Sequence, residues 1–210
     1  MSITKQTQKY IQEHPSIKDC LKRGLVNYSA LSREIAKEYS LDLKKDFDAL
    51  LIAARRFRAK VKFEKSSQDK ILSVLKQSRI EIKNRIVAYV LEKNTPDRVL
   101  LDLEHKVKKA NETFHLIEGA SAITLITVGD FSKDIKGPLK PYILRENLDL
   151  VEVVLKSPKE IETTSGIIAH LYSLLGENDV NILETMSCWT DTLFVIHEKD
   201  LTKAMELLRF

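Results

Sequence analysis

The C-terminal part of the chain follows a fixed order of strand and helix patterns. Residues 149–155 read as a strand, and the apolar periodicity of residues 167–175 predicts a helix. Residues 180–187 and 192–196 are rich in β-branched side chains between turn-forming borders, which predicts two strands. Residues 200–208 then predict a last helix. This β-α-β-β-α order predicts an α+β module with one sheet.

A few positions in this order resemble the ACT domain, a small-molecule-sensing unit found in aspartate kinases. They are Gly166 at the helix start, Leu174 with Leu175, Asn181 with Ile182, and the closing residues 204–208. In ACT domains the effector, often an amino acid, sits where the first strand-to-helix loop meets a neighbouring unit, largely on backbone N–H groups. Free N–H donors at a helix start favour a carboxylate. The resemblance implies these effector-binding residues: Ser165, Gly166, Ile167, Asn181 and Ile182.

The module departs from the ACT pattern in three ways. The loop at residues 156–164 is long, Ser165 stands where a proline often precedes the glycine, and no strand follows the last helix before Phe210. We expect an upstream segment to supply the missing sixth element, or the sheet to stay open for a partner. The alternative to effector binding is an ACT-like fold used only for dimerisation, with Gly166 present because the turn needs it.

The middle segment repeats the same order. Residues 79–91 predict either one long strand or a hairpin turning at Lys83 and Asn84, which would be the wing of a winged helix-turn-helix. A helix at residues 97–107 and strands at 114–117 and 122–128 follow. Residues 131–141 are too short and too broken by Gly and Pro for a good closing helix, so we expect a degenerate ACT-like module. Residues 142–144 could complete one of the two sheets.

The N-terminal third is basic and helical. Residues 1–65 hold 15 Lys and Arg against 8 Asp and Glu, a net charge of +7, whereas residues 66–210 hold 19 against 22, a net charge of −3. Pro15 ends one short helix, Ser16 can cap the next, and Gly24 is a stop signal for it. A longer helix follows, with apolar side chains at three- and four-residue spacing between Phe47 and Val61.

This pattern resembles a helix-turn-helix domain, with residues 27–36 similar to the first helix of the motif. The longer helix would enter the major groove. The predicted DNA-binding residues are Lys44, Lys45, Arg55, Arg56, Arg58, Lys60 and Lys62. The alternative is structural, because cations near a helix C-terminus are also favoured by the helix dipole.

The predicted fold class is α+β. A helical, helix-turn-helix-like domain at residues 1–65 and a connecting helix at 66–78 precede two ferredoxin-like βαββαβ modules, the degenerate ACT-like one at 79–147 and the ACT domain at 148–210. We expect a homodimer or higher homo-oligomer, with Trp189 as an interface anchor.

We expect neither an enzyme nor a metalloprotein. The five histidines are scattered, no Gly-rich phosphate loop occurs, and Cys20 and Cys188 lack metal-ligand spacing. We therefore predict no catalytic residues, no metal and no cofactor. Without a long apolar span or a signal-peptide core, we expect a cytoplasmic protein with no membrane contact.

These expectations together predict an amino-acid-responsive transcriptional regulator that binds DNA through its basic N-terminal helices. The alternative is a regulatory subunit that does not bind DNA and instead docks on an enzyme of amino-acid metabolism.

Overall fold

The computed structural model describes residues 2–61 and 67–210. The chain divides into two compact units, Met1–Ser66 and Ser67–Phe210. No helix in the described ranges combines the length and apolar character needed to cross a membrane.

Four helices make up the described part of the first unit: α1 (Ile3–Glu13), α2 (Pro15–Arg23), α3 (Tyr28–Glu38) and α4 (Leu43–Val61). They enclose one apolar core, because each helix places a stripe of large side chains on its inner face. The core residues include Ile11, Leu21, Leu31, Ile35, Leu50, Ala54 and Phe57.

The ends of these helices carry their signals in the sequence. Asn27 caps α3, since its side-chain oxygen accepts hydrogen bonds from the backbone N–H groups of Ser29 and Ala30 at 3.0 and 3.2 Å. Gly24 ends α2 with a left-handed φ of 79°. The expectation that Ser16 caps α2 is wrong: α2 begins at Pro15, with His14 at the N-cap. Proline fits the first helical position, because its fixed φ suits the helix and no N–H is needed there.

The second unit contains one six-stranded sheet and five α-helices among its residues, all of which the structure describes. In chain order the elements are α5 (Ser67–Leu75), β1 (Arg79–Glu92), α6 (Asp97–Lys109), β2 (Phe114–Glu118), β3 (Ala122–Val128), α7 (Ser132–Leu139), β4 (Ile143–Lys156), α8 (Ile167–Gly176), β5 (Ile182–Cys188), β6 (Asp191–His197) and α9 (Leu201–Leu207). The strand order is β2-β3-β1-β4-β6-β5, and every neighbouring pair is antiparallel.

The two central strands, β1 and β4, are long enough to take part in two half-sheets, one at each end. The first half-sheet consists of β2, β3, residues 86–92 of β1 and residues 143–147 of β4. The second half-sheet consists of residues 79–83 of β1, residues 150–156 of β4, β6 and β5. The upstream segment 79–83 therefore supplies the strand that the C-terminal module lacks. Residues 79–92 form one strand, so no hairpin turns at Lys83.

Both central strands carry a bulge where one half-sheet passes into the other. Arg85 in β1 and Asp149 in β4 have positive φ values of 58° and 55°, and the pairing register shifts beside each of them. A bulge bends its strand and increases the local twist. His115 of β2 contacts Glu152 of β4 at 2.8 Å, although strands three places apart would be about 14 Å apart in a flat sheet. The two half-sheets therefore fold over and face each other.

The apolar packing follows from this bend. Between the half-sheets lies a core of Ile86, Ala88, Ile126, Val128, Leu150 and Val195. On the outer faces, α6 and α7 pack against the first half-sheet, and α5, α8 and α9 pack against the second.

Helix α7 corrects one expectation. Residues 131–141 do form a closing helix, Ser132–Leu139, although it contains Gly137 and Pro138. Ile135 and Leu139 are buried in the core, so packing outweighs the weak helix propensity of the segment. The first half therefore has the full β-α-β-β-α-β order, and the prediction that it is degenerate is wrong in this respect.

Candidate functional site

Two clefts open between the facing half-sheets. The Arg145 cleft has a volume of about 270 Å³ and is lined by Val90, Arg145, Asn147, Asn181, Ile182, Leu183, Glu184 and His197. The His115 cleft has a volume of about 340 Å³ and is lined by Glu81, Lys83, His115, Val154, Lys156, Met186, Cys188, Asp191 and Leu193. Each cleft takes residues from both half-sheets, because the inward-facing side chains of alternate strand positions meet there.

The Arg145 cleft combines a cation and an anion. Arg145 and Asn147 project from the first half-sheet as alternate residues of β4, opposite Val90 and Ala88 of β1. Glu184 projects from β5 of the second half-sheet and accepts a hydrogen bond from the Thr124 hydroxyl of β3 at 3.2 Å. A guanidinium binds a carboxylate well, and a carboxylate binds an ammonium group. The cleft can therefore hold the two charged ends of one small molecule.

The His115 cleft is built on a buried carboxylate. Glu152 has no exposed surface, and its Oε1 accepts a hydrogen bond from Lys83 Nζ at 2.8 Å. Its Oε2 lies 2.8 Å from His115 Nε2, which donates because a carboxylate only accepts. Burial raises the pKa of Glu152, but the hydrogen bonds from His115 and Lys83 outweigh burial and hold that pKa below its usual range. Glu152 is therefore a charged group that ties the two half-sheets together.

The predicted effector residues lie in two places. Ser165 lines a small polar cavity of about 300 Å³ with Lys70, Thr163 and Thr164. Asn181 and Ile182 line the Arg145 cleft instead.

Gly166 is at the N-cap of α8 with a φ of 93°, and Ile167 is buried. A Cβ at Gly166 would lie 3.2 Å from Ile71 Cδ1. The backbone therefore requires glycine at this position whether or not an effector binds.

Sequence reasoning missed the charged residues of both clefts. Arg145 and Glu184 come together only when the sheet bends, and nothing in the linear order signals this. Glu152 had a signal: it is a carboxylate inside an otherwise apolar strand, and buried charges are paired in folded proteins. That signal predicts a partner without naming His115 or Lys83.

Most of the predicted DNA-binding residues are on the surface of α4. The exposed ones are Lys44, Lys45, Arg55, Arg56 and Lys60.

Two basic side chains of this set have particular surroundings within the described residues. The Arg55 guanidinium lies 5.7 Å from the centre of the Tyr28 ring. Arg58 is half-buried against Gly24, and its Nε is buried without a hydrogen-bond partner among the described residues. Lys62 lies outside the described residues. DNA binding by this set stays a prediction.

Trp189 is at the two-residue turn between β5 and β6. Its side chain is 64% exposed, its φ is 53°, and Lys159 Nζ lies 5.7 Å from the ring centre. A bulky residue with positive φ is uncommon and is strained. Its role as an interface anchor stays a prediction.

Within residues 2–61 and 67–210, no group of three or more His, Cys, Asp or Glu side chains could hold a metal ion. Both cysteines are free thiols.

No protein-family model matches the sequence. No curated protein matches it either. Solved structures do match the fold. An aspartate kinase from Clostridium acetobutylicum, an allosteric enzyme, is 17% identical over 62% of this chain and 33% of its own, with a TM-score of 0.51. A Vibrio cholerae protein of unknown function, a possible transport protein, is 12% identical over 68% of this chain and 96% of its own, also with a TM-score of 0.51.

The regulatory subunit of aspartate kinase from Thermus thermophilus is 13% identical over 61% of this chain and 92% of its own, with a TM-score of 0.48. The two likenesses above 0.5 show a shared fold, and the likeness to the aspartate kinase supports an ACT-like domain in this chain. The chain spans about a third of the length of the Clostridium aspartate kinase. The class defined here is thus a protein with an ACT-like, mixed helix and antiparallel-sheet fold.

Proposed function

We propose that this protein is a regulatory protein that responds to a small molecule, and that its effector is an amino acid. The observation that carries the proposal is the Arg145 cleft, where a cation from one ACT-like half and an anion from the other line one cavity. The fold likeness to an allosteric enzyme of amino-acid chemistry supports it.

The cleft suits an amino acid in charge. The effector carboxylate would bind Arg145, with His197 and the amide of Asn181 beside it, and the ammonium group would bind Glu184. Because Glu184 already accepts a hydrogen bond from Thr124 of the first half-sheet, an effector would exchange or share that contact. Binding would then favour one arrangement of the two half-sheets over another, which is the requirement for regulation.

The cavity beside Ser165 is the second place for the effector. There the carboxylate would meet backbone N–H groups at the start of α8, the Lys70 side chain and the hydroxyls of Thr163 and Thr164. This position corresponds to the ACT resemblance of Ser165, Gly166 and Ile167.

Thermal unfolding against the twenty amino acids tests the effector. A ligand at 100 times its dissociation constant adds about 2.7 kcal/mol of stability, which raises the unfolding midpoint measurably. We expect Arg145→Gln or Glu184→Gln to abolish the shift, and Lys203→Gln on the exposed surface of α9 to leave it unchanged. Loss of the shift only in Gly166→Ala would move the effector to the Ser165 cavity. No shift with any amino acid would contradict the proposal.

The protein must pass the effector signal to a target. We propose that this target is an enzyme of amino-acid metabolism on which the protein docks. One protein of similar fold, the Clostridium aspartate kinase, is an allosteric enzyme, and the match covers about a third of its chain. The basic helical unit would be the docking surface. Co-purification of the full chain with one such enzyme, and an effector-dependent change of its activity, tests this output.

Transcriptional regulation through DNA is the second output, and the exposed basic side chains of α4 favour it. Each phosphate contact contributes a slope of about −0.9 to log affinity against log salt. An electrophoretic or anisotropy titration of wild type and Arg56→Gln with one DNA duplex measures the difference in slope. Affinity that is unchanged in Arg56→Gln and Lys60→Gln would place any DNA contact elsewhere.

A further inference from the structure

We propose that the His115 cleft is a second ligand site, which binds a small carboxylate with an apolar body together with one proton taken up by His115. This site is separate from the Arg145 cleft and does not depend on the effector proposed there. The two clefts share no lining residue.

The polar wall of the cleft is the group of Lys83, His115 and Glu152. Glu152 is fully buried, whereas the Lys83 side chain is 34% exposed and the His115 side chain is 26% exposed. Lys83 Nζ and His115 Nε2 each donate one hydrogen bond to a Glu152 carboxylate oxygen, at 2.8 Å. Lys83 Nζ has two further N–H donors, and protonated His115 has a second N–H at Nδ1. Both cations therefore keep N–H donors that Glu152 does not use.

The net charge of Lys83, His115 and Glu152 determines whether the cleft attracts an anion, and this net charge depends on the protonation of His115. With neutral His115, the single positive charge of Lys83 is balanced by Glu152, so a ligand carboxylate would meet no net attraction. With protonated His115, the group has a net charge of +1 and attracts one carboxylate. Histidine is the side chain whose charge changes between pH 5 and 8. Binding of the carboxylate and protonation of His115 therefore strengthen each other.

The other charged groups that line the cleft are Glu81, Lys156 and Asp191, and their charges sum to −1. Asp191 is opposite Lys156 in the strand pairing, four residues along β4 from Glu152. Four residues of a strand span about 13 Å, which is longer than the Debye length of about 8 Å at physiological salt, so this charge acts only weakly at Lys83 and His115. Glu81 of β1 and Lys156 of β4 form an ion pair with each other. Asp191 of β6 acts electrostatically on Lys156. The remaining titratable group is the Cys188 thiol of β5.

The apolar wall sets the shape of the ligand. Val154, Met186 and Leu193 line the cleft from β4, β5 and β6. A volume of about 340 Å³ falls at the lower end of the usual range for small-molecule pockets. A branched carboxylate of a few carbon atoms places its charge on Lys83 and His115 and its carbon chain on these three side chains.

The probe is 3-methylbutanoate, and its neutral amide is the matched control. Binding to the full chain is followed by NMR of the His115 imidazole over the pH range in which the same spectra show this imidazole changing charge. We expect saturable binding of the carboxylate that weakens about tenfold per pH unit once His115 is neutral in the free protein. The amide should bind at least tenfold more weakly while His115 is protonated and show no such pH dependence. Carboxylate binding that is independent of pH, or absent from the folded protein, overturns the proposal.

Three variants locate the site, and the folding of each is checked by circular dichroism. His115→Gln keeps an N–H donor for Glu152 but takes up no proton, so we expect weak binding without pH dependence, followed through backbone amide signals. Met186→Phe fills the cleft without touching a charge and should remove binding. Arg145→Gln should leave 3-methylbutanoate binding unchanged, although it abolishes the effector response proposed above. Binding that survives both His115→Gln and Met186→Phe overturns the assignment.

Discussion

Arg85 and Asp149 are matched across the two central strands: each has a left-handed backbone, at φ 58° and 55°, beside a register shift in β1 or β4. Left-handed φ costs an L-residue about 1–2 kcal/mol, and Asp tolerates it better than a β-branched residue. The strain is retained because the two bulges bend both strands at the same level. That bend brings the half-sheets face to face and creates both clefts.

Substitution of Asp149 tests the bulge. We expect Asp149→Gly to leave the free energy of unfolding unchanged or to raise it by up to about 1 kcal/mol, because glycine adopts positive φ freely. Asp149→Val should lower it by about 2 kcal/mol, since a β-branched residue fits this backbone poorly. Urea unfolding measures both. The exposed neighbour Leu148→Val is the control and should change stability by less than about 0.5 kcal/mol.

Removal of the cation from Lys83 tests the buried carboxylate. Lys83→Met leaves Glu152 with only His115, so we expect the free energy of unfolding to fall by about 2–3 kcal/mol. Lys93→Met removes a cation from the exposed ion pair with Glu118 and should cost less than about 0.5 kcal/mol. The double variant Lys83→Met with Glu152→Gln should recover part of the loss, because no unpaired charge stays buried. Equal effects of Lys83→Met and Lys93→Met would contradict this account.

Acid should weaken the second unit through Glu152. The folded-state pKa of Glu152 is lowered, so its contribution to stability is present above the unfolded-state pKa and is lost as pH falls through the folded-state pKa. We therefore expect stability to drop below about pH 4 in the wild type, by more than in Glu152→Gln. Urea midpoints between pH 7 and pH 3 measure the difference. Parallel curves for the two proteins would show that Glu152 does not carry the effect.

Gly24 and Gly176 form a matched pair of glycine substitutions. Gly24 has a φ of 79°, and a Cβ there would lie 2.5 Å from Arg58 Nη2, whereas a Cβ at Gly176 meets nothing within 4 Å. We expect Gly24→Ala to destabilise the helical unit by about 1–2 kcal/mol, because the left-handed backbone is lost or strained and Arg58 must move. Gly176→Ala, at the last residue of α8, should be neutral or stabilising by up to about 1 kcal/mol. Thermal unfolding of each variant checks the difference.

Local structure was largely readable from the sequence. The strand and helix patterns of the C-terminal and middle segments predicted β2, β3, β5, β6, residues 149–155 of β4 and the helices α6, α8 and α9, because burial on one face imposes a period on each element. Asn27 and Gly24 marked helix ends by the chemistry of capping. Helix α7 was missed, because the packing of Ile135 and Leu139 outweighs the propensity of Gly137 and Pro138.

The sequence by itself determined the order of most elements and the basic character of residues 1–65, and it left open whether residues 79–91 form one strand or a hairpin. Only the tertiary structure decided which strand completes which sheet, because pairing depends on residues far apart in the chain. It also decided that Glu152 meets His115 and that Arg145 and Glu184 line one cleft. These contacts follow from the bend at Arg85 and Asp149, and a bulge between strands has no periodicity that a sequence pattern can reveal.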